Sequence, residues 1–201
     1  MLIFTDLDGT LFDTDVSKPK YIDEWVEEFS NARPKDNAKE VIESLYNDGH
    51  KIMALSSRGL ECKEFSDELH KISSASIIKN FKKTIMGLLS SVEHKYNAIT
   101  EILENPEIAK KLEVYNSNTP YILQKDVVLV DDNEGEIAIG MMGGVKSILF
   151  NPPEDFDKNE ILQYFDSKTE SRLRIAKDWN EVGELIRNWD KPKEVEKTPE
   201  L

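Results

Sequence analysis

Cysteine is almost absent from this sequence, which has one in 201 residues. A single thiol, Cys62, excludes an internal disulfide framework and any metal site built from several cysteines. We therefore expect a reducing, cytoplasmic environment. The sequence also has no run of about 20 apolar residues, as a membrane span requires, and no basic leader followed by an apolar segment. These absences favour a soluble protein that makes no membrane contact.

Positive charge is scarce as well. Lys and Arg together number 26 against 39 Asp and Glu, which gives a formal net charge of −13. Nonspecific affinity for nucleic acid comes from Lys and Arg that neutralise phosphates, and no block of basic residues stands out here. The charge therefore argues against nucleic acid as a partner.

The length suits one domain with a sizeable core and at most a small accessory element. We predict a single α/β domain over residues 1–189, with a short loop and helix insertion over 11–36. Residues 190–201 are highly charged and interrupted by proline, which predicts a disordered tail. The sequence does not indicate an oligomeric state.

The most informative stretch is an apolar run, Leu2–Thr5, that stops on two carboxylates, Asp6 and Asp8. This pattern predicts a buried strand that ends at the edge of a parallel sheet, where ligands bind. Side chains two apart on a strand point the same way, so both carboxylates can face one pocket, and Gly9 permits a sharp bend. A divalent cation would offset their repulsion. The alternative is a pair of solvated acids at a strand end.

Two further apolar runs, 51–55 and 127–130, also stop on polar residues. Those residues are Ser56, Ser57 and Arg58 after the first run, and Asp131 and Asp132 after the second. Parallel strands deliver such groups to one edge of the sheet, so a cation site there is indicated. Alternatively, the two aspartates cap a helix that begins near Asn133.

Helical and strand patterns alternate along the chain, which predicts a three-layer, Rossmann-like sandwich with a central, mostly parallel sheet. One helix is predicted over 60–74 and another from Lys95. The segment between them is ambiguous. Residues 76–78 are consistent with a short strand, and apolar residues between 81 and 92 fit a helix face; we predict the third strand at 76–78.

These residues, taken in chain order, resemble the four motifs of phosphatases in the haloacid dehalogenase-like (HAD-like) superfamily. The segment 6–10, Asp-Leu-Asp-Gly-Thr, resembles the first motif, Ser56 the second, Lys95 the third, and the pair Asp131 and Asp132 the fourth. The match spans residues 1 to about 150. For the third motif, Lys79, Lys82 and Lys83 are rivals. Lys95 is favoured because it begins the helix that precedes the strand ending at Asp131.

The resemblance implies a catalytic role for four residues. Asp6 would attack phosphorus and form an aspartyl-phosphate, while Asp8 would protonate the leaving oxygen and later accept a proton from water. Ser56 and Lys95 would hold the phosphoryl oxygens.

It also implies ligand contacts. Magnesium would bind Asp6, the backbone carbonyl of Asp8 and Asp132, with Asp131 coordinating directly or through water. The residues expected to contact substrate are Gly9, Thr10, Ser57 and Arg58. Arg58 could bind a second anionic group of the substrate, or it could form a surface salt bridge; both alternatives are open.

Two spacings limit the size of any cap domain. The 26 residues 11–36 are too few for the four-helix cap of small-sugar phosphatases, and the sheet's own elements would largely consume the 37 residues 58–94. The chain therefore looks capless or nearly so. It resembles the magnesium-dependent phosphatase-1 type, whose Asp-Asp fourth motif and Ser-Arg pair after the second strand recur here as Asp131-Asp132 and Ser57-Arg58.

The expected function is a magnesium-dependent phosphatase that hydrolyses phosphomonoesters in an open active site. Its substrate would be a phosphorylated small molecule or macromolecule, selected by loops 11–20, 58–64 and 114–125. The alternatives are a non-catalytic HAD-like binding or regulatory protein, and a phosphatase that processes nucleic-acid or nucleotide ends.

Overall fold

Six parallel strands form the central sheet of the computed structural model, which describes residues 1–14, 21–58, 65–82, 84–90, 92–105, 107 and 126–189. Strands are numbered in chain order, and those of the sheet are β1 (Leu2–Asp6), β4 (Lys51–Leu55), β5 (Leu88–Leu89), β6 (Val127–Asp131), β7 (Lys146–Phe150) and β8 (Leu173–Ala176). Their order across the sheet is β5-β4-β1-β6-β7-β8. The tail 190–201, the loop 114–125, Lys83 and Cys62 lie outside the described residues.

Helices cover both faces of the sheet. The described helices are α1 (Ile22–Asn31), α2 (Ala38–Asn47), α3 (Ser66–Phe81), α4 (Lys95–Glu104), α5 (Glu134–Met142), α6 (Lys158–Leu162), α7 (Ser167–Glu170) and α8 (Trp179–Asn188). In β1, Ile3 joins a core with α2, α3 and α8, whereas Leu2 and Phe4 join a second core with α4, α5 and α6. This alternation follows from strand geometry and confirms the three-layer α/β prediction. The helices of the described residues include none with the length and hydropathy of a membrane span.

The order of the strands places β1 at the point where the chain changes direction across the sheet. From β1 the chain passes to β4 and β5 on one side and then returns to β6 on the other. Thr5 pairs with Val130, so Asp6 and Asp131 follow side by side at the carboxyl ends of neighbouring strands. Ligand sites in open α/β sheets lie at such switch points.

A small insertion follows β1. Two short antiparallel strands, β2 (Phe12–Asp13) and β3 (Arg33–Pro34), flank α1, which packs against α3. The described part of segment 11–36 therefore contributes one helix and a two-stranded ribbon beside the sheet edge.

The prediction of a third strand at 76–78 is wrong. These residues lie in α3, which runs to Phe81 rather than ending near residue 74. The buried residues Leu69, Ser73, Ile77 and Phe81 recur every four positions, so Ile77 belongs to a helical stripe that includes serine as well as apolar residues. The third strand is instead β5, only two residues long and therefore too short to show alternation.

Candidate active site

The carboxyl edge of the sheet brings several of the predicted site residues together. Asp6 ends β1, Asp131 ends β6, and Lys95 is the first residue of α4. All three are buried, with exposed fractions of 6%, 0% and 4%. The parallel register therefore delivers two carboxylates and one ammonium group to the same interior point.

Lys95 bridges the two carboxylates. Its Nζ lies 2.8 Å from Asp6 Oδ1 and 2.6 Å from Asp131 Oδ2. Of its rivals, Lys79 and Lys82 are exposed near the C-terminal end of α3, and Lys83 lies outside the described residues. Among the described candidates, Lys95 is thus the lysine that the fold places against Asp6.

Burial and charge act in opposite directions on these groups. Burial raises the pKa of Asp6 well above its ordinary value, although Lys95 opposes this shift. Burial also raises the pKa of Asp131, to about 6, again against the effect of Lys95. For Lys95, burial alone lowers the pKa, but the carboxylates of Asp6 and Asp131 outweigh it and raise the pKa above its ordinary value. Lys95 therefore stays protonated, and the carboxylates would gain from a further cation.

The site contains an oxygen donor set of the kind that hard cations prefer. Asp6, Asp131 and Asp132 each offer one carboxylate oxygen, and these three atoms lie within 4.8 Å of one another. Asp131 already accepts hydrogen bonds on both oxygens, from Lys95 and, at 2.9 Å, from the backbone N–H of Asn133. Asp132 is exposed, and its Oδ1 accepts a hydrogen bond from the Thr10 hydroxyl at 3.2 Å. Asp132 therefore has more capacity for direct coordination than Asp131.

Gly9 is required by the packing of this cluster. Its φ of +73° lies in the left-handed region, which non-glycine residues adopt at a cost. A Cβ on Gly9 would also lie 2.1 Å from Asp132 Oδ2, well inside van der Waals contact. The glycine therefore both turns the chain and leaves room for the Asp132 carboxylate.

The hydroxyl residues occupy different positions around the cluster. Ser56 is fully buried, and its Oγ accepts the backbone N–H of Arg58 at 3.0 Å. Thr10 is also buried, and its carbonyl accepts the indole N–H of Trp179 at 2.9 Å. Ser57 is exposed. Their phosphate-binding and substrate-binding roles stay predictions.

The structure corrects one of the two alternatives predicted for Arg58, that of a surface salt bridge. The Arg58 side chain is 1% exposed and forms an ion pair with Asp8, so the salt bridge is buried and is not a surface feature. Arg58 Nε donates to Asp8 Oδ2 at 2.8 Å, and Nη2 donates to Oδ1 at 2.6 Å. The guanidinium therefore lies on the expected acid/base residue, which could not be inferred from residues 50 positions apart.

Several supporting residues were missed by the sequence reasoning. Asn133 caps α5 by accepting the N–H groups of Gly135 and Glu136, so the helix cap is Asn133 itself and not the aspartate pair. Asparagine before a helix is a recognisable cap signal. Glu136 Oε2 accepts the backbone N–H of Lys95 at 2.9 Å, a contact across 41 positions that no local pattern indicates.

Comparisons with known protein families and with curated proteins find no match for this chain. Solved structures do match its fold. A haloacid dehalogenase-like family hydrolase from Streptococcus pneumoniae is 14% identical, with a TM-score of 0.55 over 90% of this chain and 95% of that chain. A D,D-heptose bisphosphate phosphatase from B. bronchiseptica, complexed with magnesium and phosphate, is 13% identical, with a TM-score of 0.55 over 93% and 98% of the two chains.

A phospho-aspartyl intermediate analogue of phosphoserine phosphatase is also similar. It is 17% identical, with a TM-score of 0.52 over 92% of this chain and 98% of that chain. Identities this low establish likeness of fold and leave the residue roles to the site itself. The chain thus has the α/β fold of HAD-like phosphatases.

Proposed function

We propose that this chain is a magnesium-dependent phosphatase that hydrolyses phosphomonoesters through an aspartyl-phosphate on Asp6. The observation that carries the proposal is the placement of Asp6 at the carboxyl end of β1, with Lys95 at 2.8 Å and two further carboxylates beside it. A buried carboxylate next to a fixed cation is suited to attack on phosphorus, because the lysine offsets the charge of the incoming phosphoryl group.

The reaction has two half-reactions. In the first, an oxygen of Asp6 bonds to phosphorus as the ester P–O bond breaks, and Asp8 gives a proton to the leaving oxygen. In the second, Asp8 accepts a proton from the water that attacks the aspartyl-phosphate, and inorganic phosphate leaves. Lys95 and the Ser56 hydroxyl hold the phosphoryl oxygens during both steps.

The residues fit a magnesium ion. Asp6, Asp132 and the backbone carbonyl of Asp8 would hold it, with Asp131 coordinating directly or through water. When bound, the ion supplies positive charge that offsets the carboxylates and the phosphoryl oxygens. The oxygen-only donor set supports magnesium over softer metals.

The substrate is proposed to be a phosphorylated small molecule or macromolecule that reaches an open site. The described part of the 11–36 insertion holds one ten-residue helix and two strands of two residues each. This supports a minimal cap, so substrate choice would rest on loops around the mouth.

Hydrolysis of p-nitrophenyl phosphate, with and without Mg²⁺, tests the proposal. We expect turnover that requires the metal and that falls at least about 10³-fold in Asp6→Asn, because the nucleophile is lost. Asp48→Asn, which alters a surface ion pair with Arg187, is the matched control and should retain activity. Inactivity with every divalent metal, together with no effect of Asp6→Asn, would refute the enzyme assignment. Trapping with beryllium fluoride should place density on Asp6 and on no other residue.

A further inference from the structure

The side chain of the acid/base candidate Asp8 is bound by the guanidinium of Arg58 and lies outside the carboxylate cluster of Asp6, Asp131 and Asp132. We propose that Arg58 is a positioning residue, which fixes the Asp8 carboxylate in the orientation that transfers a proton to the leaving oxygen. This inference rests on the proposed phosphatase function and adds a residue role to it.

The contact between the two side chains is bidentate and shielded from solvent. Arg58 Nε and Nη2 each donate to a different oxygen of Asp8, at 2.8 and 2.6 Å. The side chains of Arg58 and Asp8 are 1% and 15% exposed. Two parallel hydrogen bonds between a planar guanidinium and a carboxylate fix the plane of the carboxylate as well as its position. Rotation of Asp8 about its side-chain bonds is therefore restricted.

The guanidinium is itself fixed by two helices. Its Nη1 donates to Ser73 Oγ of α3 at 2.8 Å, and the Ser73 hydroxyl donates to the Leu69 carbonyl at 2.7 Å. Its Cζ lies 3.7 Å from the centroid of the Phe29 ring of α1, a cation–π contact. An arginine that grips a substrate must present its donors to solvent. This guanidinium is instead packed between α1 and α3, with its donors directed at protein acceptors.

The hydrogen bonds also distinguish the two oxygens of Asp8. Oδ1 accepts from Arg58 Nη2 and from the Thr14 hydroxyl, which together use its two lone pairs. Among the described residues, Oδ2 accepts from Arg58 Nε. Its second lone pair is the one that can exchange a proton with substrate. The arrangement thus assigns the proton-transfer role to Oδ2.

The test compares substrates whose leaving groups differ in their need for a proton. An alkyl phosphate needs general-acid help as its oxygen departs, whereas p-nitrophenolate leaves without it. In Arg58→Met, we expect kcat/KM to fall by about 30- to 100-fold for the alkyl phosphate and by less than about 3-fold for p-nitrophenyl phosphate. Asp8→Asn should show the same selectivity. Arg187→Met, at an exposed ion pair, is the matched control and should change neither value.

A double variant separates positioning from direct contact with substrate. In the Asp8→Asn background, Arg58→Met should lower kcat/KM for the alkyl phosphate by less than about 3-fold further, because Arg58 acts through Asp8. Ser73→Ala keeps the guanidinium and loosens its support, so a smaller loss with the same leaving-group selectivity is expected. This variant decides the question if Arg58→Met does not fold, which thermal unfolding will show.

The outcomes separate the two proposals. Equal losses with both leaving groups would assign Arg58 to substrate binding and overturn the positioning role while leaving the phosphatase intact. Full activity of Arg58→Met on the alkyl phosphate would overturn it too. A wild-type protein that hydrolyses neither substrate would refute the proposed function, and this inference would fall with it.

Discussion

At the scale of single residues, burial destabilises the charged groups of the site, and neighbouring groups of opposite charge stabilise them. Asp131 is fully buried, with one oxygen on Lys95 and the other on the N–H of Asn133. Even with these partners, burial raises its pKa to about 6. Ionisation of the buried Asp131 carboxylate therefore lowers the free energy of unfolding, and the charge of Lys95 offsets only part of this loss.

The pH dependence of Asp131→Asn tests this cost. The folded pKa of about 6 exceeds the ordinary value of 3.8, so the folded state holds the proton more tightly than the unfolded state. The contribution of Asp131 to stability thus declines as the pH rises through this interval. We expect the free energy of unfolding of the variant to gain roughly 2 kcal/mol relative to wild type between pH 4 and pH 7, without metal. Urea unfolding in EDTA measures it, and a constant difference would contradict it.

At the scale of elements, α4 and α5 hold the lysine in place. Lys95 begins α4, and its backbone N–H donates to Glu136 in the first turn of α5. The Glu136 carboxylate thus accepts a hydrogen bond from one of the backbone N–H groups that the start of a helix leaves unpaired. Its negative charge also interacts favourably with the positive end of the α4 helix dipole. The contact ties the position of the phosphate-binding candidate to the helix that follows β6.

Removal of this contact should therefore reduce both stability and activity. For Glu136→Ala we expect a loss of about 1 kcal/mol in the free energy of unfolding, as for other helix caps. We also expect a several-fold lower kcat, because Lys95 would be less precisely held. Glu134→Ala, at an exposed position in the same turn, is the matched control. Equal behaviour of the two variants in urea unfolding and steady-state kinetics would count against the contact.

The elements differ in how far local sequence predicted them. The strands β1 and β6 were predicted because each is a buried apolar run that ends on aspartate. The position of the third strand was predicted wrongly because β5 has only two residues. These residues form a strand only through their pairing with β4, which the local sequence does not indicate. Helix α3 was shortened in the prediction because Ser76, which is buried, interrupts its apolar stripe beyond residue 74.

At the scale of the whole molecule, metal binding should be coupled to folding. The donor oxygens come from β1 and from the end of β6, more than 120 residues apart, so the cluster exists only in the folded chain. A ligand that binds only the folded state stabilises it by mass action.

We therefore expect Mg²⁺ to raise the midpoint of thermal unfolding. At 100 times its Kd, the ion should add about 2.7 kcal/mol to the free energy of unfolding. Asp132→Asn should remove most of this gain, since Asp132 has the more accessible carboxylate, whereas Asp48→Asn should preserve it. Calorimetry with and without Mg²⁺ measures the effect. An unchanged midpoint in wild type would argue against a magnesium site.

The amino-acid sequence by itself determined the layered fold and the polar residues that end or follow β1, β4 and β6. Strand periodicity and the carboxylates that follow Leu2–Thr5 and Val127–Val130 are local properties, and parallel pairing brings such ends together. It also indicated Lys95, yet contact with Asp6 follows only from how α4 packs on the sheet.

Only the tertiary structure decided the partners of the charged side chains. The buried ion pair of Arg58 with Asp8 and that of Lys95 with Asp131 depend on desolvation and on contacts between distant elements. The opening motif thus keeps its predicted place in the fold, and its second aspartate gains a partner that spacing along the chain does not encode.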